Sequence, residues 1–405
     1  VTNSYAVLML PIIITLVMAF TLRKTLWALA AGVISGAFII SQYSLSASIS
    51  YIATTASSQF YAEGKWQLWH LNVLMAMLLL GALTQLLARG GAVAQFSQWL
   101  TQRLHSARQA RLGIVLLGFV VFIDGIFSCL AVGHVCQPLQ RGYGISRTQL
   151  AYLVDSTASP LCSLLPFSSW GPYVMAILAG LTMLHESPVS AFVEIAQLNF
   201  YAIAVLLLAI WVAWSGVGFS LDKVEPIEAD VTSKDAGNPW LLALPMLSLL
   251  VLSMVLTLVS GAQHSSSHSI MQWLAKADIG GAMRNACLLS LALCCVLLWR
   301  SGRTVWQLLI DLSHGLKSMI FAIAILIFTW LIGQVIKDLQ IASVLAGLAK
   351  IYLAPQFMVA GLFILCAVMA FGTGSSWGTF AIMLPIGAQI AHTLEPNLLL
   401  VALSA

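Results

Sequence analysis

Three apolar stretches of this chain, 112–140, 149–184 and 356–392, are interrupted by polar residues, glycines and prolines. Helix-breaking sequence at membrane depth survives only where it lines a protected site inside the protein. Two of these stretches carry the same four residues, Ser168-Ser169-Trp170-Gly171 and Ser375-Ser376-Trp377-Gly378. One copy in each half of a chain is the pattern expected of a secondary transporter with internal repeats.

Further runs near 6–22, 25–42, 70–88, 188–215, 239–260, 284–299 and 318–336 read as ordinary membrane spans, which take about 17–25 residues each. The chain is 60% hydrophobic and 8% charged, whereas ordinary soluble domains carry about 25% charged residues. A polytopic, all-α membrane protein follows. The formal charge of +4 is not gathered on one amphipathic face, so no nucleic-acid partner is expected. The seven cysteines lie in apolar runs without CxxC spacing and read as small buried hydrophobes. The first run has no basic residue before it and Arg23-Lys24 after it. That order opposes a cleavable signal and fits a first span that starts outside.

The stretches 112–140 and 356–392 are too long for one span and too short for two, and each reads as a re-entrant helical hairpin. The stretch 149–184 reads as a broken transmembrane helix. Threading the chain with its start outside leaves Lys65, Lys276, Arg284, Lys337 and Lys350 outside and the other thirteen of eighteen basic residues inside. That bias is the one cytoplasmic loops carry. The polar segment 216–238 then becomes a cytoplasmic linker between two transmembrane halves, 1–215 and 239–405. The first hairpin enters from inside and the second from outside, so the halves are expected to be inverted repeats suited to alternating access.

Asp124 and Asp155 are the two acidic residues expected deep in the interrupted regions. A carboxylate at that depth is costly and by default marks an ion or proton pathway. Asp124 falls at the expected tip of the first hairpin. Asp155 opens Asp155-Ser156-Thr157-Ala158-Ser159-Pro160, where a break is expected before the proline. The structural alternatives are a turn residue for Asp124 and a helix N-cap for Asp155. Hard cations take oxygen ligands, and candidates surround both acids: Ser128, Ser156, Thr157, Ser159, Ser168 and Ser169. The second half offers Thr373, Ser375, Ser376 and Thr379. Sodium is the metal ion expected at Asp124 and Asp155. His134 is a candidate proton relay, with a hydrogen-bonded core histidine as the alternative. Trp170 and Trp377 read as packing anchors at the site edge. His264 and His268, in a serine-rich outer loop, read as a chance pairing rather than a metal site.

On these residues the chain resembles a known family. The segments Phe122–Pro138, Val154–Gly171, Trp330–Leu339 and Gly372–Pro385, with Leu80-Gly81-Ala82-Leu83-Thr84, are similar to the signature stretches of NhaC-type sodium/proton antiporters. The resemblance implies two inverted repeats of hairpin plus broken helix. It also implies sodium/proton exchange, although relatives include malate/lactate exchangers coupled to sodium and protons, and a group linked to tetracycline efflux. Two departures stand out. The family often carries paired carboxylates at the first tip and an Asn soon after, whereas here Gly125 follows Asp124 and Ser128 takes the place of the Asn. The sequence also stops at Ala405, where the resemblance places the final broken helix, so that helix is expected complete in the first half only.

The expected function is a secondary antiporter exchanging protons for sodium, with Asp124 and Asp155 as the coupling acids. The alternative is proton- or sodium-coupled exchange or efflux of a small organic substrate: a tetracycline-like drug, an organic acid or an amino acid. No enzyme activity and no organic cofactor are expected. The partners are sodium, protons and the bilayer of the cytoplasmic membrane, and a homo-oligomer is compatible with the pattern. An intramembrane aspartyl protease would also need two membrane carboxylates, but Gly-x-Gly-Asp is absent from the sequence. A channel is the third class, against which the two acids and the opposed hairpins both argue.

Overall fold

The computed structural model describes residues 5–22, 24–122, 136–218, 237–264, 277–340, 355–373 and 376–405, with Gly125, Ser128, Cys129, Val132, Gly133 and Trp273 between them. The described chain is helical apart from one short hairpin of strands. In order come α1 (Tyr5–Leu22), α2 (Thr25–Ile40) and α3 (Leu45–Ser58), then β1 (Tyr61–Ala62) and β2 (Lys65–Trp66). There follow α4 (Leu68–Arg89), α5 (Ala92–Thr101), α6 (Ala107–Val120), α7 (Gln137–Gly142), α8 (Arg147–Leu164) and α9 (Trp170–Ala179). The remainder are α10 (Pro188–Gln197), α11 (Phe200–Ser215), α12 (Trp240–His264), α13 (Ile279–Arg300), α14 (Val305–Asp338), α15 (Pro355–Thr373), α16 (Ser376–Leu394) and α17 (Leu399–Ser404).

Among the described residues, four helices are long and apolar enough to cross a membrane: Leu68–Arg89, Trp240–His264, Gly280–Arg300 and Val305–Asp338. Two bent pairs reach that length together, α2 with α3 at 119° and α10 with α11 at 51°. Helices serve here because hydrocarbon offers no partner for an open N–H or C=O. Contacts divide the chain into two units: Val1–Leu74, Tyr173–Leu198 and Ile320–Ala405 form unit 1, and Met75–Pro172 with Asn199–Met319 form unit 2. Each unit draws on both sides of the linker, nearly all of which lies outside the described residues.

In unit 2, α4 packs against the start of α14 through paired glycines. A Cβ on Gly81 would lie 2.7 Å from the Gly315 carbonyl oxygen, and one on Gly315 would lie 2.4 Å from the Ala82 Cα. Small residues at such crossings let backbones approach in membranes, where packing rather than water drives association. Leu80 and Leu83 beside them are fully buried.

The structure corrects two boundaries. The span expected at 318–336 belongs to a 34-residue helix that starts at Val305. Its start is set by a reciprocal cap: Gln307 N donates to Thr304 Oγ1 at 3.3 Å, and Thr304 N donates to Gln307 Oε1 at 3.1 Å. Such a box satisfies two of the donors every helix start leaves open. The added turns carry Asp311, 5% exposed, held by Arg303 Nη2 at 2.9 Å and Arg89 Nη1 at 3.3 Å. A buried acid is stable where opposite charges surround it. Asp311 is thus a buried acid that the sequence reading, which looked only at Asp124 and Asp155, did not single out.

The second correction concerns the broken helix. α8 continues through Pro160 to Leu164, and the break lies at 165–169. Leu165 is extended, with φ −101° and ψ 118°, as a residue preceding proline should be; here that proline is Pro166. Pro160 is tolerated within a membrane helix, as prolines are where neighbours satisfy the freed carbonyl.

Candidate functional site

Unit 2 brings the first hairpin against the hydroxyl-rich face of α8. Its entering arm, α6, has 14 residues and spans about 21 Å at the usual rise, short of a hydrocarbon core of about 30 Å. Arg111 Nε fixes it by donating to the Ala213 carbonyl at 2.9 Å, and Arg108 lies over the Trp214 ring at 3.2 Å. Both anchors are at the end of α11. Further along, α6 meets α8 closely, since a Cβ on Gly118 would fall 2.4 Å from Thr157 Oγ1.

The chain beyond α6 stays on the same face. The Cys162 thiol donates to the Phe122 carbonyl at 3.3 Å. A Cβ on Gly125 would lie 3.4 Å from Ser159 Oγ and 3.6 Å from the Trp170 ring. These are ordinary van der Waals distances, so Gly125 packs against Ser159 and Trp170 without the position requiring glycine. Asp124 and His134 lie outside the described residues. Ser128, in the returning part, is fully buried, and its hydroxyl has no hydrogen-bond partner among the described residues.

Asp155 lies on α8 one turn before Ser159. Its side chain is exposed, not deep, because α8 stays helical here and turns that position away from the packed face holding Leu153 and Thr157. It lines a cavity of 610 Å³ together with Arg147, Tyr152, Cys129 and Gly133. Cys129 and Gly133 belong to the returning part of the hairpin, so Asp155 and the hairpin share one cavity. The N-cap role considered for Asp155 does not apply, since α8 starts at Arg147 and its N-cap is Ser146, whose side chain accepts from Gln149 N.

The remaining candidates divide by what their hydroxyls already do. Ser156 is buried. Thr157 donates within its own helix, to the carbonyls of Leu153 and Val154 at 2.9 and 3.1 Å. Ser168 donates to the Cys162 carbonyl at 2.7 Å and accepts from the Trp170 and Gly171 amides at 3.2 and 3.3 Å. That hydroxyl closes α8 and opens α9, which leaves little for an ion. Ser169 and Trp170 are buried beside it.

In unit 1, α15 and α16 cover the stretch read as the second hairpin, and Ser375 lies outside the described residues. The Thr373 backbone ends α15, and Ser376 and Thr379 stand in the first turn of α16, Thr379 buried. Trp377 is an anchor: its carbonyl accepts from the Tyr173 hydroxyl at 2.7 Å, and the two rings meet edge-on at 4.6 Å. His264 bonds the Ser260 carbonyl of its own helix at 2.8 Å, while His268 lies outside the described residues.

Comparison with known proteins agrees with this architecture. The sequence model described as the Na+/H+ antiporter family matches residues 161–405, more than half of the chain. The chain belongs to the Na+/H+ antiporter family. An uncharacterised protein of Haemophilus influenzae is 33% identical over 98% of this chain and 79% of its own length. Two solved structures share the fold. The antimetabolite efflux pump MtrF of Neisseria gonorrhoeae aligns with a TM-score of 0.59 at 16% identity, over 88% of this chain and 72% of its own. The YdaH transporter of Alcanivorax borkumensis aligns with a TM-score of 0.59 at 15% identity, over 88% and 77%. The protein is thus a multi-pass membrane protein of a transporter family, as its NhaC-like segments implied.

Proposed function

We propose that this chain is a secondary antiporter that exchanges protons for sodium across the cytoplasmic membrane, with its start outside and the linker 216–238 inside. The observation that carries the reading is the juxtaposition on α8. Thr157 meets Gly118 of α6, Ser159 meets Gly125, and Asp155 opens into a cavity lined also by Cys129 and Gly133. A single carboxylate holds a proton or a cation but not both, and that competition couples the two fluxes. The unpaired Ser128 hydroxyl, in the place of the family's Asn, would supply a neutral oxygen ligand. Inverted repeats of hairpin and broken helix would then give each side access in turn.

A second reading has one observation in its favour. A cavity of 610 Å³ beside an exposed Asp155 is far larger than a bare ion needs and falls within the about 300–1,000 Å³ range of small-molecule sites. Coupled exchange or efflux of a small organic substrate fits it, and MtrF, which shares the fold, is an efflux pump.

Proteoliposomes with an internal pH-sensitive dye test both. A sodium pulse should dissipate an imposed pH gradient where potassium does not. Asp155→Asn and Asp124→Asn should each reduce the response to background while still inserting into the membrane. Wild-type exchange by a well-inserted Asp155→Asn protein would remove that acid from the mechanism. A response to tetracycline or a small organic acid, with none to sodium, would establish the second reading instead.

A further inference from the structure

A second cavity, of 740 Å³, is formed entirely by residues of unit 1. It shares no residue with the cavity around Asp155, and its wall chemistry is different. Lys337 is the charged lining side chain, His70, His185 and His392 stand with it, and Trp69 and Trp330 contribute indoles. No carboxylate lines it among the described residues. The neighbouring acid, Asp338, is engaged elsewhere, accepting from the Tyr51 hydroxyl at 2.6 Å and from Gln334 Nε2 at 2.8 Å.

The wall also holds unpaired polar groups. Trp69 Nε1, His70 Nδ1 and Trp330 Nε1 are buried and have no hydrogen-bond partner among the described residues. Buried polar atoms are paired in the great majority of cases, and each exception calls for an explanation. Trp330 is only 7% exposed, and its ring meets His70 edge-on with centroids 4.2 Å apart. Phenylalanine would pack as well at an apolar helix position without stranding an N–H. The sequence therefore keeps a cluster of indole and imidazole nitrogens around a cationic side chain, at a place where packing alone does not ask for them.

We infer that this cavity binds a small organic anion with a flat apolar body. The anionic group is met by Lys337 and the ring nitrogens, and the body lies against the indoles, which offer large flat apolar surface. A hard cation is a poor fit, because the charged group here is an ammonium and the side-chain oxygens among the described lining residues are the neutral ones of glutamines and threonines. The lining segments lie at the helix ends that the charge distribution places outside, so the ligand is met from that side. This site is separate from the Asp155 cavity on which both transport readings rest, and it stands or falls independently of them.

Isothermal titration of the purified full chain in detergent, with benzoate and its neutral isostere benzamide, tests the inference by binding alone. Benzoate should bind, and benzamide should bind about tenfold more weakly, the loss expected when a charge-assisted contact is removed. Lys337→Gln and Trp330→Phe should each weaken benzoate by a similar factor. Lys337 is exposed, so its replacement leaves the fold intact even if the Trp330 variant is destabilised. Asp155→Asn should lose coupling in proteoliposomes yet retain benzoate binding, which separates this site from the transport reading. Equal affinity for benzoate and benzamide, no benzoate binding, or unchanged binding by both wall variants would each overturn the inference.

Discussion

The chain carries Ser-Ser-Trp-Gly twice and uses the two copies for different work. In the first, Ser168 closes one helix and opens the next, and Gly171 lies where a Cβ would come 1.9 Å from the Pro166 carbonyl oxygen. In the second, α16 already begins at Ser376, Trp377 is bound through its carbonyl by Tyr173, and Gly378 makes room for the Thr25 side chain, 2.3 Å from a Cβ placed there. The same four residues are thus a self-contained turn in unit 2 and a docking surface in unit 1. The deciding difference lies just before them. Pro166 forces the chain out of the helix two residues ahead of the first serine pair, while Gly-Thr-Gly precedes the second. A repeated motif therefore marks equivalent places without guaranteeing equivalent bonds.

The glycines offer the sharpest way to break this comparison. Gly171→Ala sets a side chain against a backbone carbonyl of its own turn, which cannot move without undoing the break. The expected cost is about 3 kcal/mol, the upper end of overpacking penalties, read as a lowered thermal midpoint in detergent. Gly378→Ala sets a side chain against Thr25, whose own side chain can yield, and should cost about 1–2 kcal/mol. Thr25→Ala should recover part of the second loss and none of the first. Equal recovery of both would mean that Gly171 is not held by its own turn.

Ser168→Ala comes next in size. It removes one donor bond and the acceptor for two amides at the start of α9, which should cost about 1–2 kcal/mol as caps do. Because that hydroxyl is committed to the backbone, the sodium concentration for half-maximal exchange should stay where it is. A shift in that concentration with no loss of stability would return Ser168 to the ligand set.

What could be read from the sequence follows the same division between local and distant causes. The apolar runs and the presence of a break after α8 are local properties, and each is visible as composition. The position of the break was misplaced because two prolines compete. Pro160 and Pro166 both restrict the preceding residue, and only the Ser168 cap shows which of them the helix obeys. The early start of α14 was readable in principle, since Thr304 and Gln307 have capping-box spacing. Its mixed polarity around Asp311 and His314 hid it from a search for apolar runs. The burial of Asp311 was not readable, because Arg89 lies 222 residues away in sequence. Likewise, the exposure of Asp155 depends on the helical phase of α8, which an expected break had erased.

The smallest expected effect on stability belongs to Ser376→Ala, and it tests the comparison from the other side. Ser376 opens α16, and its hydroxyl makes no hydrogen bond among the described residues, so there is no structural bond to lose. Its removal should change stability by no more than about 0.5 kcal/mol, as substitutions away from caps, cores and networks usually do. If the second copy serves the transported species, the cost must appear elsewhere, as a higher sodium or substrate concentration for half-maximal exchange. Ser168→Ala and Ser376→Ala would then form a crossed pair, one losing stability and keeping affinity, the other the reverse. That crossing is what two copies with different bonds require. If Ser376→Ala alters neither property, the hydroxyls of the second copy serve only to let helices pack, as small residues do in membranes, and the ligands on that side must come from elsewhere.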